Sequence, residues 1–230
     1  DEFNYSGLPD ASKWSFEVHT PGWVNHEWQN YTDRRLENAR VENGRLILEA
    51  RRDWYNGYEI SSARLASNNK ADFTYGRFES RIKLPAGRGV WPAFWMLPTD
   101  WSYGGWPDSG EIDIMEHVGY DPGMIYGSAH TRDRNHTKGT QFTRGYADGS
   151  VESSFHNYAV EWFPDHIDYY FDSNKYATYK NDYQGYGTWP FDKRFYMILN
   201  LAIGGDWGAA QGVDMNIFPA RMEVDYVRVF

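Results

Sequence analysis

The sequence predicts an all-β fold: a two-sheet antiparallel β-sandwich, or jelly roll, with a cleft on its concave sheet. Runs of alternating apolar and polar side chains recur along the chain, for example at residues 77–84. A period of two is typical of strands that are buried on one face. Turn residues separate these runs, as at 42–44 and 121–123, and no segment of useful length has a helical period.

The predicted strands follow one another without a linker, a repeat or a low-complexity tract. In chain order they span residues 45–51, 58–64, 75–84, 93–97, 111–117, 125–131, 157–163, 167–171, 195–203 and 222–230. Many short antiparallel strands stack as two sheets, and the concave sheet of such a pair offers a groove open at both ends. Because 230 residues are ordinary for one all-β domain, residues 1–230 are predicted to form a single domain.

The composition limits the classes of partner. Aromatic residues make up 18% of the chain, including 11 Trp and 18 Tyr; they indicate either stacking platforms in a long cleft or an aromatic-rich core. A net charge of −9 argues against nucleic acid and against anionic membranes. The absence of Cys excludes a thiol nucleophile and a disulfide framework.

No apolar run approaches the length of a membrane span, about 18 residues. The chain begins with Asp1 rather than Met. We therefore expect a secreted, extracellular protein whose signal peptide has been removed, and we expect it to be a monomer.

An acidic cluster is the most informative local feature. Glu111 and Asp113 fall on one face of a predicted strand, because side chains two positions apart share a face. Glu116 follows Glu111 by an odd offset and would point to the opposite face in a regular strand. A β-bulge near residues 114–115 would restore its parity, and bulges are common beside active sites. The sequence therefore predicts three carboxylates in a row.

Three adjacent anions on a sheet are unfavourable, which favours a functional interpretation over an exposed acidic strand. Glycoside hydrolysis requires such a set: one carboxylate attacks the anomeric carbon and a second, protonated, donates to the leaving oxygen. Mutual repulsion helps to keep that acid protonated. A divalent metal site is the weaker alternative, because no His lies nearby in ligand register.

Residues 110–119, Gly-Glu-Ile-Asp-Ile-Met-Glu-His-Val-Gly, resemble the signature of glycoside hydrolase family sixteen in its bulged, laminarinase-like form. The resemblance extends over nearly the whole chain, through residues 1–4, 38–46, 75–85, 89–97, 200–205 and 224–229. It implies a jelly roll, retention of anomeric configuration and no catalytic cofactor. It also implies that Glu111 is the nucleophile, Asp113 its helper and Glu116 the acid/base.

Further residues are predicted to bind the substrate. The spacing of four between Trp91 and Trp95 puts both on one strand face; they are either core residues or cleft platforms, and the resemblance favours the cleft. By the same resemblance, the other predicted sugar contacts are His130, Asn30, Arg64 and Trp207. Residues 29–31 read Gln-Asn-Tyr where the family usually has Gln-Tyr-Tyr.

A structural calcium ion is predicted away from the cleft. Asp225 alternates with Val224 and Tyr226 in the last strand and is either a plain solvent-facing residue or a metal ligand. The resemblance implies a calcium site with Glu2 and Gly44 as its other ligands, and calcium favours carboxylate and carbonyl oxygens.

The function predicted is endo-hydrolysis of β-1,3-glucan, a laminarin-like polysaccharide substrate, by a retaining double displacement. The alternative within the class is a hydrolase of mixed-linkage glucan or of an agar-type galactan on the same fold. The alternative of another class is a non-catalytic glucan-binding module. Such relatives have usually lost the acids, whereas all three stand here.

Overall fold

The computed structural model describes residues 1–230 and consists almost entirely of strands. In chain order they are β1 (Ser15–Phe16), β2 (Asn30–Tyr31), β3 (Ala39–Glu42), β4 (Arg45–Tyr55), β5 (Tyr58–Ser62), β6 (Arg64–Ala66), β7 (Asp72–Phe73), β8 (Gly76–Lys83), β9 (Val90–Pro98), β10 (Glu111–Glu116), β11 (Met124–His130), β12 (Phe142–Ala147), β13 (His156–Trp162), β14 (His166–Phe171), β15 (Asn174–Lys180), β16 (Phe195–Ile203) and β17 (Ala220–Val229). A 3₁₀ turn spans His136–Lys138, and one turn of α-helix, α1, spans Gly205–Gly208. No helix has the length and apolar character needed to cross a membrane.

The strands form two sheets. The eight-stranded sheet, called here the cleft sheet, has the order β1-β6-β16-β9-β10-β11-β12, with β7 beside β16. The nine-stranded sheet, the outer sheet, has the order β15-β14-β13-β8-β17-β4-β5-β2, with β3 beside β4. All pairs are antiparallel except β2 with β5. The predicted all-β sandwich is confirmed.

The predicted strands all have counterparts, and β16 has the predicted bounds. The run at 58–64 is the main difference, because the chain leaves the outer sheet after β5 and enters the cleft sheet with β6. One predicted strand is therefore two, and Ala63 between them is fully buried.

The core lies between the sheets and follows the predicted alternation. In β9, Phe94 and Met96 are fully buried in the core cluster, whereas Trp91 and Trp95 line the opposite, cleft face. Burying such an apolar side chain contributes about 1.5–3 kcal/mol. Because side chains alternate along β9, one set packs in the core and stabilises the fold, and the other set lines the cleft.

A β-bulge interrupts β10 where the acids lie. The ladder with β11 pairs Asp113 with Ser128 and then passes directly to Glu116 with Tyr126. The ladder with β9 shifts over the same stretch. Residues 114 and 115 are consequently both buried in the core, and the extra residue returns Glu116 to the cleft face. The predicted bulge and the common face of the three acids are confirmed.

Candidate active site

A cleft of about 890 Å³ lies on the exposed face of the cleft sheet. The predicted site residues that line it are Glu111, Asp113, Glu116, Trp91, Trp95, His130, Arg64 and Trp207. They come from β6, β9, β10, β11 and α1, so residues far apart in sequence share one surface. Asn30 and the predicted calcium ligands do not line this cleft.

Each outer carboxylate of the cluster accepts a hydrogen bond from an indole. Trp106 Nε1 donates to Glu111 Oε2 over 2.9 Å, and Trp91 Nε1 donates to Glu116 Oε1 over 3.0 Å. Hydrogen bonds of this kind orient a carboxylate and favour its ionised form. Both glutamates are thus held in place from opposite sides of β10, one by a loop and the other by β9.

His130 lies on β11 directly opposite Glu111 in the ladder. Its Nε2 is 3.2 Å from Asp113 Oδ2 and 3.8 Å from Glu111 Oε1. The His130 side chain is nearly buried, so it faces the acids and little solvent. The structure therefore brings this predicted residue to the acidic cluster itself.

Burial dominates the proton equilibria of the acids. It raises the pKa of Glu111 to about 8, and the charge of Asp113 acts in the same direction. It raises the pKa of Glu116 to about 7, with a further contribution from Glu111. The pKa of Asp113 is likewise well above its ordinary value because of burial and of Glu116. The acids titrate jointly and retain protons near neutrality.

A chain of hydrogen bonds fixes Trp95 from behind. Trp95 Nε1 donates to Asn200 Oδ1 over 2.7 Å, and Asn200 Nδ2 donates to the Tyr31 hydroxyl over 3.0 Å. Tyr31 in turn donates to Glu27 Oε2 over 3.4 Å. These donors and acceptors orient the Asn200 amide so that its oxygen meets the indole. The orientation of a cleft tryptophan thus depends on buried groups of β16, of β2 and of the loop before β2.

Arg64 is held between two aromatic rings at one end of the cleft. Its guanidinium carbon lies 4.8 Å from the ring centroid of Trp95 and 5.1 Å from that of Trp23. Glu17 forms an ion pair with it. A guanidinium stacked and paired in this way is rigid, so Arg64 presents a fixed positive edge to the cleft.

Trp207 packs against Trp91 in the cleft. Their rings are edge to face, with centroids 5.7 Å apart, and Trp207 also meets Tyr126 at 5.2 Å. Because Trp91 donates to Glu116, these aromatic contacts support a tryptophan that itself holds a candidate catalytic group.

The prediction for Asn30 is corrected by the structure. Asn30 is buried in β2, where it pairs with Ser61 of β5, and it does not line the cleft. Its neighbour Tyr31 is directed to the network behind Trp95, as is Glu27. Alternation along β2 therefore turns Asn30 away from the side that supports the site.

Trp106 and Asn200 are functional candidates that the sequence reasoning missed. Trp106 lies in the loop before β10, so no strand pattern marked it. Asn200 is a polar residue within the otherwise apolar run of β16, and this position at the centre of a buried strand was the available signal.

The predicted calcium ligands lie near one another in the topology, but the carboxylates of Glu2 and Asp225 already form ion pairs with arginine. Glu2 forms a two-point pair with Arg228 at 2.8 Å on each oxygen, and Asp225 pairs with Arg81. Gly44 belongs to the turn before β4, two residues from the Leu46–Val224 pair of the ladder with β17. Both carboxylates are thus committed to arginine side chains, and the calcium site stays a prediction.

Comparison with known proteins assigns the chain to a family. The family described as "Glycosyl hydrolases family 16" matches residues 24–228. The chain belongs to this family. It is 50% identical to a "Beta-glucanase" of Rhodothermus marinus over 100% of this chain and 83% of that protein.

Solved structures agree with the assignment. The X-ray structure of the laminarinase from Rhodothermus marinus matches with a TM-score of 0.98 at 50% identity, over 100% of this chain and 94% of that one. A crystal structure described as a non-specific endo-β-1,3(4)-glucanase of the same family matches with a TM-score of 0.94 at 46% identity, over 100% and 88% of the two chains. The predicted family, its fold and the glycoside hydrolase class are confirmed. No catalytic cofactor is required by this class.

Proposed function

We propose that the chain cleaves internal β-1,3 linkages of a laminarin-like glucan by a retaining double displacement, with Glu111 as nucleophile, Glu116 as acid/base and Asp113 as helper. The observation that carries this proposal is the bulge in β10, which turns Glu116 onto the face of Glu111 and Asp113. The names of the relatives, a beta-glucanase and a laminarinase, support the substrate class.

The first displacement needs an ionised nucleophile and a protonated acid. Glu111 attacks the anomeric carbon, the glycosidic C–O bond breaks, and the proton of Glu116 passes to the leaving oxygen. Since burial raises the pKa of Glu116 to about 7, this residue holds its proton in mildly acidic solution. The product of the step is a glycosyl ester on Glu111.

The second displacement reverses these roles. Glu116, now ionised, takes a proton from water, and the water oxygen attacks the anomeric carbon while the bond to Glu111 breaks. Two inversions return the β configuration. Both glutamates are restored, so the atoms and charges balance over the cycle.

Two neighbours favour the ionised form of Glu111. The Trp106 N–H and the charge of His130 both lower the pKa of Glu111, against the effect of burial. Asp113 acts in the opposite direction, because its charge raises the pKa of Glu111, and burial raises the pKa of Asp113 itself well above its ordinary value. In the free protein the pKa of Glu111, about 8, lies above that of Glu116, about 7. The reactive arrangement, with Glu111 ionised and Glu116 protonated, therefore requires a redistribution of protons within this jointly titrating cluster.

Mixed-linkage glucan is the second candidate substrate, because one of the matching structures is described as a non-specific endo-β-1,3(4)-glucanase. A panel of laminarin, mixed-linkage glucan, agarose and carrageenan, read out by reducing ends and product sizes, separates the candidates. We expect fast release of oligosaccharides from laminarin. Activity on agarose or carrageenan but not laminarin would contradict the proposal, and binding to laminarin without cleavage would indicate a binding module.

Secretion, a monomeric state and a structural calcium ion are further parts of the proposal. The polymeric substrate supports secretion, because a polysaccharide of this size is met outside the cell. The proximity of the β3–β4 turn to β17 supports the ion. Size-exclusion chromatography with light scattering tests the monomer, and removal of calcium tests the ion.

A further inference from the structure

Glu111, Asp113 and His130 bring three metal-binding atoms together in the cleft. His130 Nε2 lies 3.2 Å from Asp113 Oδ2 and 3.8 Å from Glu111 Oε1, and all three ligand atoms lie within 4.8 Å of one another. A tetrahedral zinc ion with bonds of about 2.0–2.1 Å separates its ligand atoms by about 3.3 Å. The distances between these three ligand atoms are therefore close to those between three ligands of one zinc ion.

One of the three ligand atoms, an oxygen of Asp113, lacks a hydrogen bond. The Asp113 side chain is 3% exposed, and its Oδ2 has no hydrogen-bond partner even though His130 lies close to it. A buried polar atom without a partner is costly. A cation between the two carboxylates and the imidazole would satisfy this oxygen directly.

Sequence spacing disfavoured a metal because no His lay in ligand register with the acids. The structure supplies one from the next strand, where His130 pairs with Glu111 across the β10–β11 ladder. Two carboxylates and one imidazole suit zinc and related ions better than calcium, which collects oxygen ligands. We propose that Glu111, Asp113 and His130 form a binding site for a divalent transition-metal ion, and that this ion inhibits the enzyme reversibly.

The geometry sets how inhibition would act. The ion would bind the carboxylate of Glu111, which is the nucleophile of the proposed function. This part of the inference rests on that function. Trp106 Nε1 already holds the other oxygen of Glu111, as an outer hydrogen bond to a metal ligand does. The Glu111 side chain is 16% exposed, so the open coordination position faces the cleft. Metal and glucan would therefore compete.

Calorimetric titration of the metal-free protein with ZnCl₂ at neutral pH tests the site without substrate. We expect one equivalent bound, no comparable binding of MgCl₂, and an affinity lower by about 10-fold or more in Asp113→Asn. Asp206→Asn is the matched control, because Asp206 also lines the cleft and its Oδ1 lies 2.7 Å from Nδ1 of a histidine, His26. It should bind zinc as the wild type does.

Near-UV circular dichroism of Asp113→Asn checks that its fold is intact. The Co²⁺ spectrum of the wild type provides a readout that needs no variant: we expect the intense visible bands of a four-coordinate ion, lost when a laminarin oligosaccharide is added. No saturable zinc binding, or equal binding by Asp113→Asn, would overturn the site. Saturable binding in a protein that cleaves no laminarin would leave the site standing and reject the proposed function.

Discussion

The indole N–H of Trp106 donates to Glu111 Oε2 over 2.9 Å from the loop that precedes β10. The carboxylate of the proposed nucleophile is thus oriented by a residue outside the strand that carries it. The ring of Trp106 also lies 5.0 Å from that of His136, so a loop and a 3₁₀ turn together cover this side of the acids. The orientation of the Glu111 carboxylate therefore depends on the position of the loop that carries Trp106.

Trp106→Phe removes that donor and keeps an aromatic ring. A hydrogen bond to a charged group contributes about 1.5–3 kcal/mol, so kcat/KM on laminarin should fall about 10- to 100-fold. Loss of the donor raises the pKa of Glu111 further, and the acidic limb of the pH–rate profile should move to higher pH. Trp101→Phe, another cleft tryptophan, should leave that limb in place. An unshifted limb in Trp106→Phe would contradict the assigned role.

Tyr31→Phe interrupts the chain from Trp95 to Glu27. The Asn200 amide then loses the group that sets its orientation, so KM for laminarin should rise and stability should fall by about 1 kcal/mol. Tyr158→Phe is the matched control, because the Tyr158 hydroxyl is buried without a partner. Kinetics and urea unfolding of both variants measure the difference. Equal effects of the two substitutions would show that the chain does not position Trp95.

Glu116→Gln should stabilise the protein in neutral solution. The pKa of Glu116 is about 7 in the folded protein and is raised from 4.5, so the folded state binds more protons than the unfolded state between these values. The contribution of Glu116 to stability is therefore present below about pH 4.5 and is lost as the pH rises through 7. Melting temperatures from pH 4.5 to 8 should fall less in Glu116→Gln than in the wild type. Parallel profiles would contradict the burial of this charge.

Removal of calcium with EDTA should lower the melting temperature and leave activity at low temperature largely intact. An ion bound only to the folded state at a hundredfold above Kd stabilises by about 2.7 kcal/mol. Asp225→Ala should reproduce the loss and abolish the response to calcium. Arg81→Ala, which removes only the ion-pair partner of Asp225, should retain the response. A melting temperature unchanged by EDTA would reject the ion.

Alternation in the sequence was sufficient to predict most of the fold and the carboxylate row. The two faces of β9 and the bulge in β10 follow from which side chains must be buried. Strand β12 was missed because no residue of Phe142–Ala147 is buried, so no regular apolar alternation marks it. The change of sheet at Ala63 is set by the packing of both sheets and leaves no local pattern.

The contacts within the site depend on tertiary structure. The partners of Glu111 come from a loop and from β11, and sequence spacing does not specify how near these segments approach. Asn30 shows the converse, since its motif position indicated a sugar contact and the backbone of β2 turns it away. Residue type and the period-two pattern predicted the three acids. The hydrogen bonds and contacts that orient these acids are visible only in the folded chain.

Covalent trapping of the nucleophile tests the central claim most directly. A fluorinated laminaribioside with a good leaving group forms a glycosyl–enzyme ester that hydrolyses slowly, because the fluorine destabilises the oxocarbenium-like transition state. Peptide mass spectrometry of the wild type should find one added disaccharide on the peptide with residues 111–116, localised by fragmentation to Glu111. Glu111→Gln should remain unlabelled. A label on Glu116 or Asp113, or full inactivation without any covalent adduct, would contradict the account.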